Sequence, residues 1–419
     1  MLKLLERTLK SFVAPLLRAL TGSAPVSIPQ DDRIKKILVV RQHNQLGDML
    51  CVVPLLRSLR SRYPNAFIAL LASPVNGSVM LHNRYIDRVI LYDKNEFLEK
   101  WRIKPVALVR FLRELRKEKF DIVLVPSTVS LSFTSDLLGF FSGASIHIGA
   151  GKIDGRENRG AFLFHFPVDL DWSMDPHRHQ TLRNWDISAP LKLTCSDLTS
   201  EITLLPAEVE CGRGLASVGG RVGKLGGGGK PRAERNEESK LGGEGKQRAE
   251  SVPDVKQRAK SGESRAEGGE LRVAFHPGAG KIPNQWPAER FAAVANQLVD
   301  EFGADVFITK GPMDQQPVEE MMRNLKVQHT LVDCRPVREV AAILSQMQLV
   351  ISNDTGIMHV AAAVGVPVLS LFGPTDPHQW APVGGRHRFL QASDGVITTI
   401  VADEVLKVAR EMLRADSKL

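Results

Sequence analysis

From Ile37 onward the chain alternates short β-branched runs with longer stretches whose apolar residues recur every three or four positions. ILVVR at 37–41 predicts a strand, the stretch from about Met49 to Arg62 a helix, and FIALLA the next strand. RVILYD, a basic amphipathic helix ending before Phe120, DIVLVP and SIHIGA continue the series, which ends near Pro206. It restarts at LRVAFHP and runs through a helix from Pro287 to Glu301, the strand DVFITK, a helix around Glu319 to Leu325, and HTLVD. A further helix, LVISN, a helix after Gly356, VPVLSLFG and a last helix from about Ala402 to Leu413 complete it. Strands alternating with helices at this spacing predict βαβ units and a parallel sheet. The chain has 419 residues, enough for two domains, and the pattern assigns residues 31–206 to one and 271–419 to the other. Open parallel sheets bind ligands at the carboxyl ends of their strands, so the crevice between the domains is the expected site.

Between the two series the character changes. Residues 211–270 hold GGRVGKLGGGGK and the near-repeats KPRAE, KQRAE and KQRAK, with no aromatic residue and few apolar ones. Such a stretch cannot offset the entropy of ordering, and residues 207–270 are read as a disordered tether. A Gly-rich coil of that length reaches on the order of 40 Å, enough to join two docked domains.

The formal charge of +8 would suit a nucleic-acid partner if it lay on the folded part. It does not. Residues 1–22 carry Lys3, Arg7, Lys10 and Arg18 against Glu6, and residues 211–270 carry thirteen Lys and Arg against nine acids. The remainder is close to neutral, so no nucleic-acid groove is expected. Cys51, Cys195, Cys211 and Cys334 lack metal-ligand spacing and do not suggest a disulfide framework; a reducing cytoplasm is the expected compartment. No run of eighteen apolar residues occurs, so no membrane span is expected. Residues 1–30 form a separate segment in which Leu2, Leu5, Leu9, Phe12, Leu16 and Leu20 fall near one helical face among basic residues. That pattern suits a helix lying on an anionic inner-membrane surface, and equally one packing back on its own domain. Arg18 closes the apolar stretch too early for a secretory signal.

Three segments carry candidate chemistry. In HNQLGDMLCVVP, after the first strand, Gly47 permits close approach of the backbone, and Asp48 opens the next helix. An Asp there also caps a helix, but at a cleft it can take a proton from a sugar hydroxyl. In FHPGAGKIPNQWP, Gly278 and Gly280 precede a helix, and their exposed N–H groups beside Lys281 form a candidate diphosphate cradle. It is not a Walker loop, because Ile282 follows the lysine. In LVISNDTGIMHVAAAVG, Asn353, Asp354, Thr355 and Gly356 fall where a buried strand meets a helix, with His359 one turn in near the Thr355 face. His359 is read as a phosphate or ribose contact. The pair Asp169 and Asp171 invites a magnesium site, but a surface loop is the better reading, and no metal is expected.

Together these segments resemble glycosyltransferase family 9, the ADP-heptose:lipopolysaccharide heptosyltransferases. The resemblance rests on RQHNQLGDMLCVVPLLRSLR, on HPGAGKIPNQWP, and on DTGIMHVAAA followed by FGPTDP. It implies an α/β protein of GT-B type, with two Rossmann-like parallel-sheet domains facing across a cleft. It also implies metal-independent, inverting transfer from an ADP-sugar to a lipid-linked saccharide by a cytoplasmic enzyme at the inner-membrane face, with no cofactor beyond the nucleotide sugar. Carried over, the base falls on Asp48, with Arg41 and Gly47 on the acceptor side. The donor side takes Gly278, Gly280, Lys281, Asn284, Lys310, Gln315, Asp354, Thr355, Gly356 and His359. Two positions depart from the family: Asn284 stands where many members have Lys, and Gln315 where some have a ribose-binding Glu. A different nucleotide sugar, a sugar-nucleotide epimerase and a non-catalytic saccharide-binding relative are the alternatives.

Overall fold

The computed structural model describes residues 26–43, 45–99, 102–218 and 271–416. The expectations for residues 1–20 and for the Gly-rich stretch from 219 lie outside the described residues.

The first domain begins with β1 (Lys36–Arg41), α1 (Leu46–Leu50), α2 (Val53–Arg62), β2 (Phe67–Ala72), α3 (Pro74–Gly77) and β3 (Arg88–Leu91). Next come α4 (Lys94–Phe97), the short pair β4 (Leu98–Glu99) and β5 (Arg102–Ile103), α5 (Pro105–Lys117), β6 (Ile122–Val125) and α6 (Phe133–Phe141). It closes with β7 (Ile146–Ile153), β8 (Arg156–Glu157), β9 (Phe166–Leu170) and α7 (Gln180–Asp186). Its sheet runs β3-β2-β1-β6-β7-β8 with β9 also on β7, and only the β7–β8 pair is antiparallel.

After α8 (Pro206–Val218), the second domain holds β10 (Arg272–His276), α9 (Ala288–Phe302), β11 (Asp305–Lys310), α10 (Gln315–Asn324) and β12 (His329–Asp333). It continues with α11 (Val337–Leu344), β13 (Leu349–Asn353), α12 (Gly356–Ala363), β14 (Val368–Phe372), α13 (Pro377–Trp380), β15 (Arg388–Gln391) and α14 (Ala402–Asp416). Its six strands are all parallel in the order β12-β11-β10-β13-β14-β15. That is the doubly wound order whose switch point lies between the first strand and the fourth. In the two domains the switch points fall at β1/β6 and β10/β13, and the motif loops follow β1, β10 and β13. The α/β architecture of two Rossmann-like domains is therefore as expected.

Two local expectations are corrected. The single helix over Met49–Arg62 is two, α1 and α2, broken at Cys51 and Val52. Pro54 cannot donate to the Leu50 carbonyl and its ring crowds that oxygen, which instead accepts the Ser200 hydroxyl at 2.9 Å. The tether assigned to residues 207–270 begins with the ordered helix α8. Gly212 lets α8 lie against α11: a Cβ there would fall 2.3 Å from the Ala342 carbonyl oxygen. Arg338 of α11 binds Glu208 of α8 and the Ser78, Leu81 and Thr203 carbonyls, so this helix is tied to both domains. One apolar cluster runs from Ile37 and Leu56 through Met49 to Met358, Val360 and Val350, so the domains share buried core.

Candidate active site

The β1 strand delivers Arg41 to the end of the first sheet, and the loop turns into α1 so that Asp48 sits in its first turn. Asp48 is buried, with one carboxylate oxygen 3.4 Å from the Arg41 guanidinium and the other, Oδ1, without a hydrogen-bond partner. Burial pushes its carboxyl above the usual range, and Arg41 pulls the other way without cancelling it. Arg41 is held by the Pro126 carbonyl at 3.3 Å. His43 beside it is held down to about 4 by burial and by Arg41 and Lys94, so it is neutral at pH 7. The loop itself is fixed by Asn76 of α3, whose side-chain amide donates to the His43 and Gln45 carbonyls. Gln42 donates to Ser135 at 3.2 Å, while its own oxygen and the Thr128 hydroxyl are buried without partners. These polar groups at the ends of β1 and β6 were not read from the sequence; only their places after those strands signal them.

On the opposite side, α12 starts at Gly356, and its N-cap Thr355 is extended (φ −147°, ψ 169°) with no side-chain capping bond. The first-turn N–H groups of α12 therefore have no side-chain cap, and the positive end of the helix meets the crevice. Asp354 is half-buried; the Asn284 amide donates to its carboxylate at 3.0 Å and to Thr375 at 3.0 Å. Burial raises the Asp354 carboxyl, opposed by Thr375 and Lys281.

Asn353 does not line the crevice as expected. It is fully buried, its amide donating to the Pro277 and Gly278 carbonyls at 2.9 and 3.1 Å while its oxygen accepts the Trp286 N–H at 3.0 Å. It thereby clamps the β10 turn to β13. Gly278 is demanded by its neighbour, because a Cβ there would lie 2.2 Å from Asp314 Oδ1. Gly280 has nothing within 4 Å of such a Cβ, so space alone does not require glycine. Lys281 is exposed beside the turn. Lys310, at the end of β11, is paired with Asp333 at 3.0 Å, and exposed Gln315 bonds Glu319 along α10.

The two sides meet at glycines. A Cβ on Gly47 would fall 2.6 Å from the His359 ring, and one on Gly356 would fall 3.0 Å from Leu46 Cβ. So α1 and α12 touch at their first turns, bringing Asp48, Gly47, Gly356 and His359 together. His359 is buried against Gly47 and, at 6.4 Å edge-on, Trp380. Burial first, then His179, holds it down to about 3, which leaves a neutral imidazole with no charge to offer a phosphate. A cavity of about 530 Å³ opens toward the carboxyl end of α12, lined by Cys51, His179, Thr181, His359 and His387 among others. Of the candidate site residues it includes only His359. Asp169 lies in β9 rather than in a loop, and Asp171 accepts the Ser173 N–H at 2.9 Å.

Residues 237–401 match the model of glycosyltransferase family 9 (heptosyltransferase). Over that stretch the chain is similar to glycosyltransferase family 9. Among curated relatives, lipopolysaccharide heptosyltransferase 2 of Escherichia coli K12 is 28% identical over 129 residues, covering 29% of this chain and 37% of the relative. Lipooligosaccharide heptosyltransferase 2 of Haemophilus influenzae is 28% identical over 135 residues, covering 30% and 38%. The matched stretch thus spans under two fifths of either relative. The fold extends further: a family 9 structure from Veillonella parvula superposes with a TM-score of 0.70 at 20% identity, over 94% of this chain and 100% of that one. The E. coli ADP-heptose heptosyltransferase II structure gives 0.66 at 19% identity, over 91% and 99%. These structures establish the GT-B type fold.

Proposed function

We propose that this protein transfers a heptose or related sugar from an ADP-sugar to a lipopolysaccharide core saccharide, without a metal and with inversion. The observation that carries the reading is the meeting of α1 and α12. It sets a buried carboxylate with one unpartnered oxygen across from an uncapped helix N-terminus.

The donor diphosphate lies against the first turn of α12 and the Gly278 turn, where N–H groups and Lys281 supply positive charge. Lys310 and Gln315 border the nucleoside end. The acceptor hydroxyl lies at Asp48 Oδ1, with Gln42 and Thr128 beside it. As the acceptor oxygen bonds the anomeric carbon, the bond from that carbon to the diphosphate breaks, its electron pair leaves with ADP, and the hydroxyl proton passes to Asp48. The raised Asp48 carboxyl suits this, since a more basic carboxylate holds a proton better at neutral pH. The enzyme works on the cytoplasmic face of the inner membrane, where a lipid-linked acceptor is accessible.

Asp48→Asn tests the reading. Gln45, not Asp48, holds the N-cap position of α1, and Asp48 makes no capping bond, so a purely structural Asp48 predicts little loss on the isosteric change to Asn. A lost base predicts a fall in turnover of roughly two to four orders of magnitude with donor affinity preserved. Turnover near wild type would remove Asp48 from catalysis, and donor isomerised without transfer would replace the transferase reading with the epimerase one.

A further inference from the structure

On the far side of the first domain, α5 covers the face of the sheet that points away from the second domain. Its inward stripe is Ala107, Leu108, Phe111, Leu112 and Leu115, packed on the outer core. Phe111 sits against Tyr92 and Phe97, with ring centroids 5.6 and 5.5 Å away, at the carboxyl end of β3. The helix is thus anchored by one face and has no need of a second apolar one.

It nevertheless has one. Val106 is 72% exposed and Val109 45% exposed. Arg110, Arg113 and Lys117 continue the same helical face. Pro105, the two valines, these three cations and Glu114 line a shallow groove of about 660 Å³. Glu114 is taken by Lys117 at 2.7 Å, whereas Arg110 and Arg113 have no acidic partner among the described residues. Exposed aliphatic residues ringed by unpaired arginines are complementary to a surface with anionic headgroups above an apolar interior. A protein partner of ordinary composition would need acids to match them.

The position adds a second reason. Lys94, at the start of α4, adds to burial and Arg41 in lowering His43 of the loop after β1, and Phe97 at its other end stacks on Tyr92. The amino-terminal end of α5 therefore lies on the same rim of the sheet as the acceptor side of the crevice. A surface lying under α5 holds that rim at headgroup height.

We propose that the outer face of α5, through Val106, Val109, Arg110, Arg113 and Lys117, docks on an anionic lipid bilayer and presents the crevice to a lipid-linked acceptor. This rests on the transferase reading only for the identity of the acceptor; the docking itself does not.

The test uses the full chain and two variants, Arg110→Gln/Arg113→Gln and Val109→Asp, both confined to exposed positions. Binding is measured by co-sedimentation with vesicles of phosphatidylethanolamine mixed with phosphatidylglycerol, and with phosphatidylcholine vesicles as the uncharged control. The wild type is expected to bind only the anionic vesicles. Removing two arginines should weaken that binding roughly ten- to thirtyfold, and Val109→Asp should weaken it severalfold. Both variants should turn over a deacylated, water-soluble acceptor at the wild-type rate while showing a raised KM for acceptor embedded in the anionic vesicles. Wild-type vesicle binding by both variants would overturn the proposal, assigning any membrane contact to another part of the chain. Lack of turnover by the wild type on the soluble acceptor would count against the transferase reading alone, leaving the docking result to stand or fall on the vesicles.

Discussion

Gly47→Ala places a methyl group where the structure has no room for one. Its Cβ would lie 2.6 Å from Cδ2 and 2.9 Å from Nε2 of His359, against ordinary contacts of 3.4–4 Å. The ring cannot simply retreat, because it is buried and flanked by Trp380. Relief requires α1 and α12 to separate by about 1 Å, and overpacking of this kind costs about 1–3 kcal/mol. The larger effect is on chemistry: the same movement carries Asp48 away from the first turn of α12, and a 1 Å misplacement at a reacting centre lowers the rate by about a hundredfold. Steady-state turnover and thermal unfolding measure the two effects. His359→Ala in the same chain should restore turnover to that of His359→Ala alone, since it removes the atoms that collide. Gly280→Ala is the control, with nothing near its Cβ, and should stay within a few-fold of wild type. Wild-type turnover and stability for Gly47→Ala would show that the contact does not set the spacing of the site.

The Asp48 carboxyl is raised by burial, so the acidic limb of kcat/KM should have its midpoint above the ordinary carboxylate range and vanish in Asp48→Asn. For stability the sign runs the other way: a raised carboxyl favours the folded state when protonated, and that contribution is lost as pH rises through the folded value. Asp48→Asn should therefore unfold at or above the wild-type temperature near neutrality, with the difference closing in acid; a clear drop in Tm would contradict it. Asn353→Ala removes three buried hydrogen bonds and leaves two carbonyls and an N–H unsatisfied, which should cost about 3 kcal/mol and weaken donor binding at least tenfold as the Gly278 turn loosens. Calorimetric donor titration against thermal unfolding checks both parts.

The strands were the legible part of the fold, because runs such as ILVVR, DVFITK and VPVLSLFG are β-branched, buried and bounded by turn residues. The break between α1 and α2 was also available, at Pro54. The helix α8 was not: CGRGLASV contains two glycines, each costing about 1 kcal/mol in a helix, and only contact with Ala342 makes one of them an advantage. At the site, the positions of Asp48, Asp354 and Gly356 followed from strand ends and could be read. What their neighbours do could not. The partners of Asn353 lie some seventy residues earlier, so its clamp depends on the order of strands in the sheet. His359 shares a face with Thr355, as helical spacing requires, yet its surroundings come from a glycine in the other domain.

Two carboxylates, buried Asp48 and half-buried Asp354, stand at the strand ends, and burial raises both, so the direction of the shift alone does not separate them. Their hydrogen bonds do. Asp354 accepts from Asn284, which also donates to Thr375, so the three groups form a closed bracket between the β10 turn, the β13 turn and the loop after β14. A carboxylate in such a bracket holds the loops that cradle a ligand, and moving a proton onto it would disturb them. Asp48 is fixed from one side only, by Arg41, and keeps an oxygen with no partner. An unsatisfied buried oxygen is costly to keep unless something else completes it. An incoming hydroxyl is a donor of the right kind, and of the two carboxylates only Asp48 keeps a buried oxygen without a partner. The proposed base is therefore Asp48 rather than Asp354, whose carboxylate is engaged by Asn284.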